Sequence, residues 1–126
     1  MPASHVLAFD FGLKHIGVAV GQTVTRTASG LTTLTASAGR PQWNELLALL
    51  NEWQPSAVLV GLPLNMDGTE SDMSGRAREF AAALEARYQS PVHMVDERLT
   101  SRASKHAANP HEMAAVLIAE TWLAED

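Results

Sequence analysis

Three acidic positions along this chain could together bind a divalent cation. Asp10 ends an apolar run near the N-terminus. Burying such a carboxylate is unfavourable unless a cation or a hydrogen-bond donor accompanies it. Asp96 and Glu97 follow a second apolar run, and His111 and Glu112 begin a third apolar segment with helical spacing. Carboxylates of this kind provide the oxygen ligands that Mg²⁺ and Mn²⁺ prefer.

Two such ions would enable phosphodiester hydrolysis, because they can activate a water molecule and stabilise the leaving oxygen. In this scheme Asp10 bridges the two ions and Glu97 completes one metal site. Glu112 or His111 completes the other. Such a cluster would suit a hydrolase of phosphodiester bonds that uses Mg²⁺ or Mn²⁺, with Asp10, Glu97 and Glu112 as candidate catalytic residues.

Asp96 and Glu97 cannot both face this site if the preceding strand continues, because successive side chains of a strand point to opposite faces. Only one of them is expected to join Asp10, and either is possible from spacing alone. Arg98 then has two possible roles. It can pair with the remaining acid, or it can contact a substrate phosphate through two parallel hydrogen bonds.

Each acid also has a purely structural interpretation. Asp10 could stabilise a turn at the end of a strand, and Asp96 with Arg98 could form an exposed salt bridge of little energetic value. Glu112 near a helix N-terminus interacts favourably with the helix dipole whatever its function. A chain with 14 acidic residues also offers many accidental triplets.

The segment from Gly61 to Thr69 predicts a polar loop between a strand and a helix. Gly61 allows close backbone approach where the strand ends, and Asn65 and Asp67 supply polar groups. Such a loop can present backbone N–H groups to phosphate. It lacks the lysine and the glycine spacing of a nucleotide-binding P-loop. An ordinary strand-to-helix connection explains it equally well.

Bulk properties limit the class of protein. The 126 residues, 46% of them hydrophobic, suit one compact domain over residues 1–126. No apolar run approaches the roughly 18 residues of a membrane span, and no secretory leader is visible, so a cytoplasmic protein without membrane contact is expected. The net charge of −5 opposes bulk attraction to nucleic acid, although local basic rims around an acidic centre are possible.

The elements that position these residues follow from hydrophobic spacing. The order is three strands, helix, strand, helix, strand, helix, which predicts an α/β fold with a mixed five-stranded sheet and helices on both faces. This arrangement resembles the ribonuclease H-like fold, although other α/β folds also begin with a meander. Strands are predicted at 5–10, 16–21, 31–34, 57–61 and 92–95, and helices at 41–53, 71–88 and 110–123.

Four stretches identify the chain as a member of the YqgF family, also called RuvX, whose members are similar to Holliday junction resolvases and are described as pre-16S rRNA nucleases. The segments DFGLKHIGVAVG and GLPLNMDGT are the most specific. The matching stretches span nearly the whole chain in the right order, at 7–21, 60–81, 95–101 and 114–123.

This resemblance implies a ribonuclease H-like fold, a cytoplasmic location and divalent-metal-dependent maturation of the 5′ end of 16S rRNA. Asp10 matches the acid of the family's first motif, and Glu97 is the preferred ligand within its Asp-Glu-Arg segment. Lys14, Asn65 and Arg76 match polar positions of the family, which implies contact with the substrate.

The chain departs from the family pattern in two places. The loop at 101–110 is shorter than usual, and His111 stands where the family usually has an aspartate. Histidine binds Mn²⁺ better than Mg²⁺. Two alternative functions follow: an RNA-binding ribosome-assembly factor without catalysis, or a resolvase acting on branched DNA. A monomer or a weak homodimer is expected.

Overall fold

The structure, a computed structural model, describes residues 4–99 and 109–125. Each predicted element is present, and most bounds differ by one or two residues. The strands are β1 (His5–Asp10), β2 (His15–Gln22), β3 (Thr27–Ser37), β4 (Arg40–Pro41), β5 (Ala57–Leu62) and β6 (Val92–Asp96). The helices are α1 (Trp43–Trp53), α2 (Asp72–Arg87) and α3 (Pro110–Ala124), and a 3₁₀ turn covers Glu97–Leu99.

The strands form one mixed sheet in the order β4-β3-β2-β1-β5-β6. The hairpin pairs β1–β2, β2–β3 and β3–β4 are antiparallel, whereas β1–β5 and β5–β6 are parallel. Because β1, β5 and β6 run in the same direction, their C-terminal ends meet at one edge of the sheet. Ligand sites of open α/β sheets gather at such an edge.

The prediction of five strands was incomplete, because a two-residue sixth strand, β4, pairs with the end of β3. Ala38 and Gly39 both have positive φ angles, of 52° and 81°, and form a tight hairpin turn. A strand of two residues carries no alternating pattern, so hydrophobic spacing does not reveal it. The third strand also extends well beyond the predicted 31–34, to Thr27–Ser37.

Helices cover both faces of the sheet, as predicted. Alternating side chains of β1 divide between two buried clusters: Leu7 and Phe9 pack with α1 and α2, whereas Val6 and Ala8 pack with α3. This alternation fixes which polar residue reaches which face at the strand ends. No helix among the described residues is long and apolar enough to cross a membrane.

Local capping interactions determine where the two helices nearest the sheet edge begin. Ser71 and Ser74 form a reciprocal capping box at the start of α2, and both hydroxyls donate to the carbonyl oxygen of Pro63 at 2.7 Å. At the start of α3, the Asn109 side chain accepts a hydrogen bond from the Glu112 N–H at 2.9 Å. These caps attach both helices to the edge where the parallel strands end.

Candidate acidic site at the sheet edge

Asp10 is the last residue of β1, and its side chain points to the α3 face. It is in phase with Val6 and Ala8, which belong to the cluster packed against α3. Its antiparallel partner on β2 is Gly17. The side chain is half-buried, and this burial raises the pKa of Asp10 to about 6. The carboxylate therefore lies in an environment that disfavours an uncompensated negative charge.

Glu97 approaches the same face from the end of β6. It is in phase with Val95, another member of the α3-side cluster. Its Oε2 lies 2.9 Å from the point where a Cβ atom on Gly61 would stand, so the missing side chain of Gly61 leaves room for it. Burial first, then the charge of Asp10 and the charge of Asp96, raise the pKa of Glu97 to about 7. Asp10 and Glu97 thus form a pair of interacting carboxylates, here called the acid pair.

Asp96 does not belong to this pair in the structure, because its carboxylate bonds to Arg98. The Arg98 Nε donates to both Asp96 oxygens at 3.1 Å, and Nη2 donates to Oδ2 at 2.7 Å. The hydrogen bonds from Arg98 hold the pKa of Asp96 below its usual range. Arg98 Nη1 also donates to the carbonyl oxygen of Met66 at 3.2 Å, which attaches the 63–70 loop to the end of β6.

The first turn of α3 lies directly against β2 beside Asp10. A Cβ atom on Gly17 would overlap the backbone carbonyl of His111, so only glycine permits this approach. The Asn109 amide donates to Glu112 Oε2 at 3.2 Å, and the ring of His111 lies 4.7 Å from that of His15. The first turn of α3 thus lies against the strand partner of Asp10, while the side chains of His111 and Glu112 make other contacts.

A complete metal-binding cluster is not formed within residues 4–99 and 109–125. No group of three His, Asp or Glu side chains there could hold a metal ion. The structure therefore brings together Asp10 and Glu97 of the predicted ligands but not His111 or Glu112. The departure noted at 101–110 falls almost entirely on residues 100–108, which lie outside the described residues.

The predicted substrate-binding residues occupy three different environments. Lys14, in the β1–β2 turn, and Arg76, on α2, are exposed. The Asn65 side chain instead donates to the Thr69 hydroxyl at 2.9 Å and to the Glu70 carbonyl at 3.3 Å, within its own loop. Asn65 therefore shapes the 63–70 loop. Arg98 is engaged with Asp96, as the salt-bridge alternative predicted.

Gly17 is a site residue that sequence reasoning missed. A glycine inside a strand is unfavourable on its own and often marks a place where another backbone approaches closely. Gly17 lies in a run of buried β2 residues, so that signal was present. It could not identify the approaching segment, because that segment is about 95 residues further along the chain.

Comparison with known proteins gives concordant results. A family model described as "RuvX: Holliday junction resolvase" matches residues 4–125. A protein of Saccharophagus degradans named "Putative pre-16S rRNA nuclease" is 48% identical over 134 residues, covering 97% of this chain and 94% of that protein. A protein of Chromohalobacter salexigens with the same name is 49% identical over 133 residues, covering 96% and 90%.

Solved structures with low sequence identity share the fold. Thermus thermophilus RuvC, in complex with a Holliday junction substrate, matches with a TM-score of 0.65 and 17% identity, covering 94% of this chain and 91% of that one. The yeast mitochondrial Holliday junction resolvase Ydc2 matches with a TM-score of 0.52 and 10% identity, covering 97% and 78%. The predicted ribonuclease H-like fold is confirmed.

Proposed function

The chain belongs to the RuvX family, and we propose that it is a divalent-metal-dependent nuclease that matures the 5′ end of 16S rRNA in the cytoplasm. The curated relatives, which this chain matches over nearly its whole length, bear the name of pre-16S rRNA nuclease. The substrate assignment follows those names. The assignment of residues follows the geometry of the sheet edge.

The acid pair is the observation that carries this proposal. Two carboxylates from distant parts of the chain lie on one face, and both have pKa values raised by burial. A surface salt bridge would produce the opposite shift, as it does at Asp96. Perturbed carboxylates at the C-terminal ends of parallel strands are typical of a functional site.

The donor set of the acid pair fits Mg²⁺ or Mn²⁺. Mg²⁺ is commonly held by one or two carboxylates, with water and substrate phosphate completing its coordination. Asp10 and Glu97 would supply those two carboxylates. A bound divalent ion would polarise the scissile phosphate and lower the pKa of a coordinated water. The glycine at position 61 leaves the space that the Glu97 carboxylate occupies.

The protein's own contribution is to hold the two carboxylates close together before any ion arrives. Their mutual repulsion and burial favour protonation, so near pH 7 the metal-free pair retains part of a proton. Binding of a cation must displace that proton. The affinity for the ion should therefore rise with pH between about 6 and 8.

Glu112 and His111 are proposed to supply the additional donor. The first turn of α3 lies against Gly17, the strand partner of Asp10, so its side chains begin close to the acid pair. Glu112 would have to exchange its hydrogen bond with the Asn109 side chain for a metal ligand. Glu112→Gln should therefore weaken metal binding less than Asp10→Asn does.

Cleavage of a transcript that carries the 16S precursor 5′ extension tests the proposal. Purified protein with Mn²⁺ or Mg²⁺ should shorten the extension, and chelation or Asp10→Asn should stop this reaction. Arg78→Gln, which alters an exposed α2 salt bridge to Glu70, is the matched control that retains activity. Absence of cleavage with both metals at high protein concentration would refute the nuclease proposal.

A DNA substrate is the second candidate, and the family description as Holliday junction resolvase favours it. The same assay with a four-way DNA junction distinguishes the two. Preferential, paired cleavage of the junction would replace the RNA assignment. Binding of precursor RNA that needs no metal and persists in Asp10→Asn, without cleavage of either substrate, would indicate an assembly factor.

A further inference from the structure

A groove of about 360 Å³ lies on the α1 and α2 face of the sheet, opposite to the face of the acid pair. Three arginine side chains line it. It lies between α2 and the turn that joins β3 to β4. Among the described residues that line it, Glu79 is the one acid. We call it the arginine groove, defined by Arg40, Arg76 and Arg87 together with Phe11, Trp43 and Glu79.

None of these three arginines forms an ion pair with a carboxylate of residues 4–99 or 109–125. Within the part of the chain that the structure describes, the ion pairs formed by arginine join Arg78 to Glu70 and Arg98 to Asp96. The Arg87 guanidinium instead lies 4.1 Å from the centre of the Trp43 ring. A chain with a net charge of −5 thus concentrates exposed positive charge in one groove, which favours an anionic occupant.

The arginine groove adjoins the acid pair across the edge of the sheet. Phe11, which lines the groove, is the residue after Asp10, and the two side chains point to opposite faces. The turn that carries Lys14 is fixed to the groove's rim by backbone hydrogen bonds. The Gly39 N–H donates to the carbonyl oxygen of Leu13 at 2.9 Å, and the Ala36 N–H donates to the carbonyl oxygen of Lys14 at 2.8 Å.

The lining favours a single nucleic-acid strand over a compact anion or a duplex. Proteins that hold single strands combine guanidinium groups that follow the backbone with aromatic side chains that contact the bases. Phe11 and Trp43, both half-buried, provide aromatic surface beside the arginines. A nucleic-acid strand that runs from the acid pair over the Asp10–Phe11 edge enters the groove. Its scissile bond would then lie at the acid pair, and its neighbouring phosphates would lie beside the arginines.

We propose that the arginine groove binds the sugar-phosphate backbone of the single strand flanking the scissile bond, with Arg40 and Arg76 contacting phosphates. This inference rests on the proposed nuclease function only in its statement that the bond is cleaved at the acid pair. Binding to the groove does not require a metal ion or cleavage. It can therefore be measured separately from activity.

The test measures the salt dependence of binding by a fluorescein-labelled single-stranded RNA in EDTA, using fluorescence anisotropy. The double variant Arg40→Gln/Arg76→Gln is compared with Arg26→Gln/Arg78→Gln. The control variant makes the same change in net charge at exposed positions that do not line the groove. Loss of two phosphate contacts should reduce the slope of log K against log[KCl] by about 1.4. The control should leave the slope unchanged.

Equal changes in both double variants, no change in either, or failure of the unaltered protein to bind the RNA would overturn the groove assignment. Thermal unfolding verifies that both variants fold. A single-stranded DNA of the same length should show the same loss of slope, because the proposed contacts are to the backbone. If the variant slopes differ as expected but no substrate is cleaved, the groove assignment stands and the nuclease proposal fails.

Discussion

Asp96 and Glu97 are neighbours of the same charge, yet the structure places them in opposite environments. Asp96 lies in a partly exposed cluster with Arg98, and hydrogen bonds from that arginine lower its pKa. Glu97 turns to the α3 face, where burial and Asp10 raise its pKa to about 7. One acid stabilises a loop and the other belongs to a candidate catalytic centre.

The direction in which each side chain leaves the end of β6, more than its residue type, determines the environment of each acid. Val95 and Glu97 point to the α3 face, so Asp96 between them points away from it. Both acids are half-buried, but Asp96 meets a guanidinium at hydrogen-bond distance, whereas Glu97 meets a second carboxylate. These two regions, the acid pair and the Asp96–Arg98 cluster, should therefore respond differently to each perturbation below.

The largest expected difference is in activity. Asp10→Asn and Glu97→Gln should each reduce cleavage about 1,000-fold, equivalent to about 4 kcal/mol of activation free energy, because each removes a proposed metal ligand. Asp96→Asn should reduce it less than about 10-fold, since the Asp96 carboxylate is engaged by Arg98 and is not one of the proposed metal ligands. Single-turnover cleavage rates measure both. Equal losses for Asp96→Asn and Glu97→Gln would contradict the assignment of different roles to these two acids.

Two glycine substitutions compare the backbone constraints of the two regions. Gly17→Ala should destabilise the protein by about 3 kcal/mol, because its Cβ would overlap the His111 carbonyl and force α3 away from β2. Gly68→Ala should destabilise by about 1 kcal/mol, because the backbone there has φ of 89° but the space beside Arg98 is larger. Urea unfolding of each variant measures these changes. A smaller loss at Gly17 would mean that α3 does not lie as described.

The pH dependence of stability distinguishes the raised pKa values from the lowered one. Without metal, the folded protein holds protons on Asp10 and Glu97 that the unfolded chain releases near pH 4. The contribution of these two groups to the free energy of unfolding is therefore fully present below about pH 4, and it is lost as the pH rises through about 6 to 7. The unfolding free energy should fall by about 2 kcal/mol between pH 5 and 8, allowing for partial solvation.

Two variants provide the controls for that measurement. Asp10→Asn should flatten the dependence, because it removes one raised pKa and the repulsion that helps to raise the other. Asp96→Asn should change it much less than Asp10→Asn does. The lowered pKa of Asp96 itself affects stability at more acidic pH, and the charge of Asp96 is the smallest of the causes that raise the pKa of Glu97. An identical slope in Asp10→Asn and the unaltered protein would show that the acid pair is not the source.

The smallest effect is expected at Arg98. Arg98→Ala removes the hydrogen bonds to Asp96 and to the Met66 carbonyl, so the 63–70 loop loses its attachment to β6. Global stability should change little because the cluster is exposed. Amide hydrogens of residues 65–69 should exchange several-fold faster, while those of β1 stay unchanged. Equal exchange in this loop before and after substitution would show that Arg98 does not hold it.

Much of this arrangement could be predicted from the sequence, because alternation and helical spacing are local signals. They indicated Asp10 at a strand end, opposite directions for Asp96 and Glu97, and a helix that begins at residue 110. Partners far apart in sequence could not be predicted. Neither the contact of Gly17 with α3 nor the path of Glu97 over Gly61 leaves a periodic pattern.

The β2–β3 turn, at the end of the sheet opposite the acid pair, is a suitable place to attach a label. The tight turn after β2 presents Val24 to solvent, with 73% of its surface exposed, and the chain contains no cysteine. Val24→Cys would thus introduce a unique thiol roughly 20 Å along the strand direction from Gly17. A fluorophore attached there would report the approach of a dye-labelled nucleic-acid strand by energy transfer, and it would not contact the acid pair.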